Sequence, residues 1–286
     1  MEGSIPTKRK VYRLDGVDAI VKSYKGTKEY LLIEEVIDQY DNILHKLEYN
    51  KDAHPERLIE ALYEGENILQ QKVVNLFEET EEIIHFEYDE NQKLIREYIF
   101  YADEKFIHQS YEYDHNDNLI TIIYYHDGEM DHRDCFTYDD EGYKTTREQY
   151  DQDGELSEAE IFEYNDSDEV SKILFSYSEY DAELDETKHH NKTKLYKYDA
   201  DKRVASEIYP DENYNINYTY DKQGRVTETT EYSNDKVVEK HIIVYDMEDR
   251  IAEERFIYDS DKTNYYYGGV DNRNDSYVLR YEYDAI

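Results

Sequence analysis

A four-residue unit recurs along this 286-residue chain: an aromatic, any residue, Tyr, then Asp or Asn. It stands at Phe86-Glu87-Tyr88-Asp89, Tyr111-Glu112-Tyr113-Asp114, Phe136-Thr137-Tyr138-Asp139 and Phe162-Glu163-Tyr164-Asn165. It returns at Tyr196-Lys197-Tyr198-Asp199, Tyr218-Thr219-Tyr220-Asp221 and Tyr281-Glu282-Tyr283-Asp284, with a weaker copy at Val244-Tyr245-Asp246. The first four tyrosines are spaced by 25, 25 and 26 residues, and Tyr198, Tyr220 and Tyr245 by 22 and 25. A period of this length means that one supersecondary unit is repeated and stacked on its neighbours.

The unit is a hairpin. Polar turn formers follow each copy, as in Asp89-Glu90-Asn91-Gln92 and Asp221-Lys222-Gln223-Gly224, and an aliphatic restarts most copies six residues on (Leu94, Leu119, Val170, Val204, Val226, Ile251). A second Tyr precedes another turn midway, at Tyr101, Tyr125, Tyr150 and Tyr209. Turns about every 12 residues suit short antiparallel strands. Alternation supports this: Tyr214, Ile216, Tyr218 and Tyr220 share one face, and Tyr277, Leu279, Tyr281 and Tyr283 do the same. The expected fold is all-β: antiparallel β-hairpin repeats forming one twisted, curled or solenoid-like sheet.

Before Phe86 the repeat is degenerate. Turn signals at Asp15-Gly16, Lys25-Gly26, Tyr40-Asp41-Asn42, Tyr49-Asn50 and Glu64-Gly65 continue the hairpin rhythm. Residues 55–77 read better as strands, although Leu58, Ile59, Leu62 and Leu69, Val73, Leu76 also have partial helical spacing. No Gly/Ser/Pro-rich linker intervenes, so residues 1–85 are expected to be a cap continuous with the repeats of 86–286.

Charge narrows the functions. Lys and Arg number 33 against 70 Asp and Glu, a formal net charge of −37. Such a chain cannot neutralise phosphates, which excludes direct nucleic-acid binding, and an anionic membrane surface repels it. Low hydrophobicity with high charge usually means disorder. Here 34 tyrosines oppose that, each burying an apolar ring while its hydroxyl stays polar. Lone Cys135 allows no internal disulfide, and the N-terminus lacks an apolar export core, so a cytoplasmic location is expected.

The unit resembles the YD repeats of the bacterial Rhs family, also found in teneurins and insecticidal toxin complexes. Its nearest copy is Tyr218-Thr219-Tyr220-Asp221-Lys222-Gln223-Gly224-Arg225-Val226, and the resemblance runs from Phe86 to Asp284. The family's turn glycine is kept at Gly142 and Gly224 and replaced by Gln92, Asp117, Asp168, Lys202 and Asp249. The resemblance implies a long β-sheet that spirals into a shell, in many members around a toxin.

No catalytic motif emerges. The histidines lack metal-binding spacing, His189-His190 reading as solvated, and Cys135 sits in a strand beside a single basic neighbour, Arg133. Turns such as Asp151-Gln152-Asp153-Gly154, Asp199-Ala200-Asp201 and Asp259-Ser260-Asp261 lack the later Glu of a calcium loop. No enzyme, metal or cofactor is therefore expected. The distinctive segment is Asp151–Glu186, with 14 acidic residues and one basic residue, where the repeat interval lengthens to 34 (Tyr164 to Tyr198). An insertion in a repeat protein usually forms a loop on the binding face, and carboxylates at alternate strand positions would mimic a phosphate backbone. Asp151, Asp153, Glu155, Asp166, Asp168, Glu169, Asp181, Glu183, Asp185 and Glu186 are accordingly the predicted partner-binding residues.

The chain is thus expected to be a non-enzymatic binder of a basic protein, an immunity or inhibitor protein acting on a toxin or effector such as a nuclease. The alternatives are a structural or adhesin fragment of a YD-type assembly, self-associating through sheet edges, and a carbohydrate-binding repeat protein.

Overall fold

The computed structural model describes residues 6–15, 28–101, 104–181, 186–258 and 276–285. Among them are twenty strands, all paired antiparallel where a register is defined, and one short 3-10 helix at Pro210–Glu212. Residues 55–77 form two strands, Pro55–Glu64 and Asn67–Asn75, with turns after each, as the turn signals favoured. The chain forms two compact units, Met1–Glu81 with Tyr214–Ile286, and Glu82–Asn213.

The first unit contains β1 (Thr7–Asp15), β2 (Lys28–Ile37), β3 (Ile43–Tyr49), β4 (Pro55–Glu64) and β5 (Asn67–Asn75). It also takes β16 (Tyr214–Tyr220), β17 (Val226–Ser233), β18 (Lys236–Tyr245), β19 (Ile251–Tyr258) and β20 (Tyr277–Ala285). Each strand pairs with its chain neighbour, and β1 pairs on its other side with β20, from Thr7↔Ala285 to Asp15↔Tyr277. This corrects the expected sheet. An open curl or a solenoid leaves its first and last strands as free edges, whereas here the termini close the ladder on each other. Of the residues 1–85 expected to cap a stack, those up to Glu81 share a unit with the last repeats.

The second unit is a meander. Its strands are β6 (Thr80–Tyr88), β7 (Leu94–Tyr101), β8 (Glu104–Tyr113), β9 (Leu119–His126) and β10 (Glu129–Tyr138). β11 (Lys144–Asp151), β12 (Leu156–Tyr164), β13 (Val170–Asp181), β14 (Glu186–Tyr198) and β15 (Val204–Tyr209) follow, each paired with the next.

A conventional core is nearly absent: among the described residues only Val11, Leu14, Ile37, Ile99, Ile173 and Val278 are buried hydrophobics, and of these Val278 alone is fully buried. The repeat itself supplies the cohesion. The second Tyr of six copies donates its hydroxyl to the backbone carbonyl that restarts the preceding hairpin. These pairs are Tyr113–Leu94, Tyr138–Leu119, Tyr164–Lys144, Tyr198–Val170, Tyr245–Val226 and Tyr283–Ile251, at 2.7–3.0 Å. Each bond contributes a net ~1 kcal/mol. At five of these tyrosines, Tyr113, Tyr138, Tyr164, Tyr198 and Tyr245, a β-bulge shifts the register by one residue, for example between Thr137 and Tyr138.

The Asp or Asn after that Tyr builds the turn. In Asp139–Tyr143, Asp139 N–H donates to the Tyr143 carbonyl (2.9 Å) and Gly142 N–H to the Asp139 carbonyl (3.1 Å). Asp139 Oδ1 then accepts from the amides of Glu141 (3.1 Å) and Tyr143 (2.8 Å). The same construction recurs at Asp38, Asn50, Asp89, Asp114, Asp151, Asn165, Asp199, Asp221 and Asp246. Its fourth residue is always left-handed, a conformation that suits glycine and costs other residues. Gly142 and Gly224 have φ of 89° and 85°, and Gln92, Asp117, Asp168, Lys202 and Asp249 lie between 63° and 71°. The positions where the family glycine is kept or replaced are therefore the positive-φ positions.

Candidate partner-binding surface

Each turn divides its carboxylates by task. The first Asp spends one oxygen on two backbone amides, and where the fifth residue is Arg the other oxygen takes its guanidinium: Arg203 on Asp199, Arg225 on Asp221 and Arg250 on Asp246, at 2.6–2.9 Å. Asn165 reverses the pair, donating from Nδ2 to Glu169 Oε2 at 2.8 Å. The Arg203 side chain, with the backbone amides behind it, holds the Asp199 carboxyl below its ordinary range. Among the second and third turn residues Asp140, Glu141, Asp153 and Asp166 are exposed, whereas Asp201, also exposed, accepts from Arg203 Nη2 at 2.9 Å.

Neighbouring turns are also tied together. The fourth residue of one turn meets the fifth residue of the turn before it in Lys93–Asp117 and in Arg225–Asp249 (2.6 Å). Turns at one end of the strands are two strands apart, roughly 9.5 Å. From Asp114 to Asn118, Asp139 to Tyr143 and Asn165 to Glu169, three consecutive turns at that end contain no Lys or Arg.

The ten predicted residues are not gathered into one site. Asp151, Asp153 and Glu155 form the β11–β12 turn, and Asp166, Asp168 and Glu169 the β12–β13 turn at the opposite end of β12. Nine residues of strand separate them, roughly 30 Å. Asp151 is consumed by its turn, Asp168 occupies the left-handed position, and Asp153, Glu155, Asp166 and Asp168 are exposed. Asp181 and Glu186 pair as the last rung of the β13–β14 hairpin, on the same strand end as Asp151. Glu183 and Asp185 lie outside the described residues, as does the Asp259–Asp261 turn. The expected inserted loop is instead a lengthening of β13 and β14 to 12 and 13 residues. Apart from Asp181 and Glu186, which end β13 and begin β14, the described candidates belong to turns, where the phosphate-like spacing along a strand does not apply.

Sequence reasoning missed the acidic turns at Asp114 and Asp139, which lie outside the densest acidic run yet continue the row of turns that includes Asn165. It also missed a charge cluster on the tyrosine-bearing face. Asp134 is 5% exposed, and Arg147 Nη2 donates to both of its oxygens at 3.0 and 3.1 Å. Arg147 Nη1 reaches Glu160 at 3.1 Å, and Gln149 Nε2 donates to Asp134 at 3.2 Å. Asp134, Arg147 and Glu160 are brought together by cross-strand register, which local sequence does not reveal.

Both faces of the second unit bear charges. Opposite the tyrosines stand Glu87, Arg96, Glu112, Arg133, Glu148, Glu163, Lys172 and Lys197, whereas a lipid-facing barrel wall needs an apolar band ~25 Å tall. No helix among the described residues is long and apolar enough to cross a membrane, and no group of three or more His, Cys, Asp or Glu among them could hold a metal ion.

Fold and turns together define an antiparallel β-repeat protein with anionic turns. No family model matches the chain, and no curated protein matches it. Among solved structures it is similar to a porin-like protein from Bacteroides uniformis, with 9% identity, 96% of this chain and 97% of that chain covered, and a TM-score of 0.37. It is also similar to part of the TcdB2-TccC3-Cdc42 structure, with 10% identity and a TM-score of 0.23 over 82% of this chain. The match spans 19% of that second chain.

Proposed function

We propose that this chain is a non-enzymatic binding protein, a short YD-type repeat that captures a basic protein partner on its acidic turns. The carrying observation is the division of labour within each turn. A backbone-anchored Asp or Asn fixes the loop, so the backbone that carries the exposed carboxylates is ordered before any partner arrives. A preordered turn of this kind loses little backbone entropy on binding, and its charge steers an oppositely charged protein toward it. The partner class is a basic toxin or effector, a nuclease being one whose cationic groove fits a row of carboxylates, and the role is that of an immunity or inhibitor protein. Charged residues on both faces of the second unit support an aqueous setting, consistent with a cytoplasmic location.

Affinity capture from the native cell at low salt should recover a basic protein, with binding weakened by added salt. Reversal of Asp140, Glu141, Asp166 and Asp168 to Lys should reduce affinity much more than reversing four acidic residues within 1–85. Equal losses would mean that bulk charge alone matters and would remove the turn surface; recovery of no basic protein would remove the function.

A further inference from the structure

The lengthened β13–β14 hairpin outgrows its neighbours. Pairing of β12 with β13 ends at Glu158↔Tyr177, and β15 pairs with β14 only over Leu195–Tyr198. Residues 186–194 of β14 therefore have β13 on one side and, among the described residues, no strand on the other. The Thr193 amide shows which groups face outward, because it donates to Asp211 Oδ2 of the 3-10 helix at 2.7 Å. Backbone N–H and C=O groups alternate in direction along an antiparallel strand, so Thr187, His189 and Asn191 present theirs to the same open side. This is a short template for another strand.

We propose that the β14 edge is a self-association surface, pairing antiparallel with the β14 edge of a second copy about a two-fold axis at His189. Self-complementarity is built in: Thr187 meets the second copy's Asn191, and His189 meets its own counterpart, each pair exchanging two hydrogen bonds. Charge favours this edge. Residues 187–198 contain no carboxylate in a chain of net charge −37, so two copies can approach here with less repulsion than along the acidic turns. Self-association through sheet edges is thereby given a place: the first and last strands are paired to each other, and the edge offered is that of an internal hairpin. So small an interface makes the association weak and concentration-dependent.

Sedimentation velocity over a range of concentrations tests it. The wild-type chain should dimerise, and more so as salt rises, because screening relieves the like-charge repulsion. Capture of a basic partner responds to salt in the opposite direction, so the two readings fail separately. Asn191→Pro deletes an outward amide while sparing the ladder to β13, and should weaken dimerisation roughly tenfold with an unchanged circular-dichroism spectrum. His189→Cys in a Cys135→Ser background should give a disulfide-linked dimer on oxidation, since directly opposed Cα atoms lie about 5.5 Å apart. A chain that stays monomeric at high concentration and high salt overturns the proposal. So does a dimer that is indifferent to Asn191→Pro and leaves His189→Cys uncrosslinked.

Discussion

At the residue scale, tyrosine and aspartate divide the work of the repeat: one ties a hairpin to the hairpin before it, the other closes the turn. Removing a single tie isolates its worth. Tyr138→Phe keeps the ring but orphans the Leu119 carbonyl, and should cost ~1 kcal/mol in a denaturant titration. The turns contain a second lever. Ala53 sits at φ 62° with an exposed side chain, bearing the strain of a left-handed residue without any side-chain bond in return. Ala53→Gly should raise stability by about 1 kcal/mol, against the usual direction of Ala→Gly changes. Turn identity was legible in sequence because an Asp or Asn that bonds amides two and four residues on acts within a few residues. The tyrosine's acceptor was not, since Tyr198 and Val170 are 28 residues apart and only stacked hairpins bring them together.

At the element scale, neighbouring strands are held by side chains that span three of them. Arg147 on β11 is clamped between Asp134 on β10 and Glu160 on β12. Arg147→Ala would strand the nearly buried Asp134 carboxylate and should cost about 3 kcal/mol, the range for breaking a buried pair. Replacing both Asp134 and Arg147 with Leu should cost less than the single change, and thermal melts of the two variants would show it. A larger loss in the double variant would mean that the pair matters for more than mutual compensation. The aromatic ladder of the first unit works in the same way. His241, Phe256 and Tyr277 stack face to face across β18, β19 and β20, with ring centroids 4.2 and 4.6 Å apart, and Arg13 of β1 lies 3.9 Å over Tyr277. Rings half-buried on a sheet contribute through such cross-strand pairs rather than through a deep core.

At the scale of the whole molecule, so many tyrosines make alkaline pH the natural stress. Burial pushes the hydroxyls of Tyr113, Tyr138, Tyr164, Tyr198 and Tyr283 above their ordinary pKa of 10.0. Burial, together with the bond to Glu34, takes Tyr49 up to about 12. A pKa raised in the folded state gives stability that is complete below the unfolded value and is lost as pH rises through the folded one. The protein should therefore unfold between about pH 10 and 12, with phenolate absorbance at 295 nm and loss of far-ultraviolet circular dichroism moving together. Phenolate formation centred on pH 10 without loss of β-structure would contradict this. The sequence alone determined the hairpin period, the tyrosine-bearing face, the closed turns and their left-handed positions, because each depends on alternation or on contacts within a few residues. Only the tertiary structure decided that β1 closes onto β20, that the densest acidic segment is divided between opposite strand ends, and that Asp134 is buried against Arg147. Those outcomes depend on which strand lies beside which and in what register, and a β-bulge of one residue is enough to change that while leaving the local pattern intact.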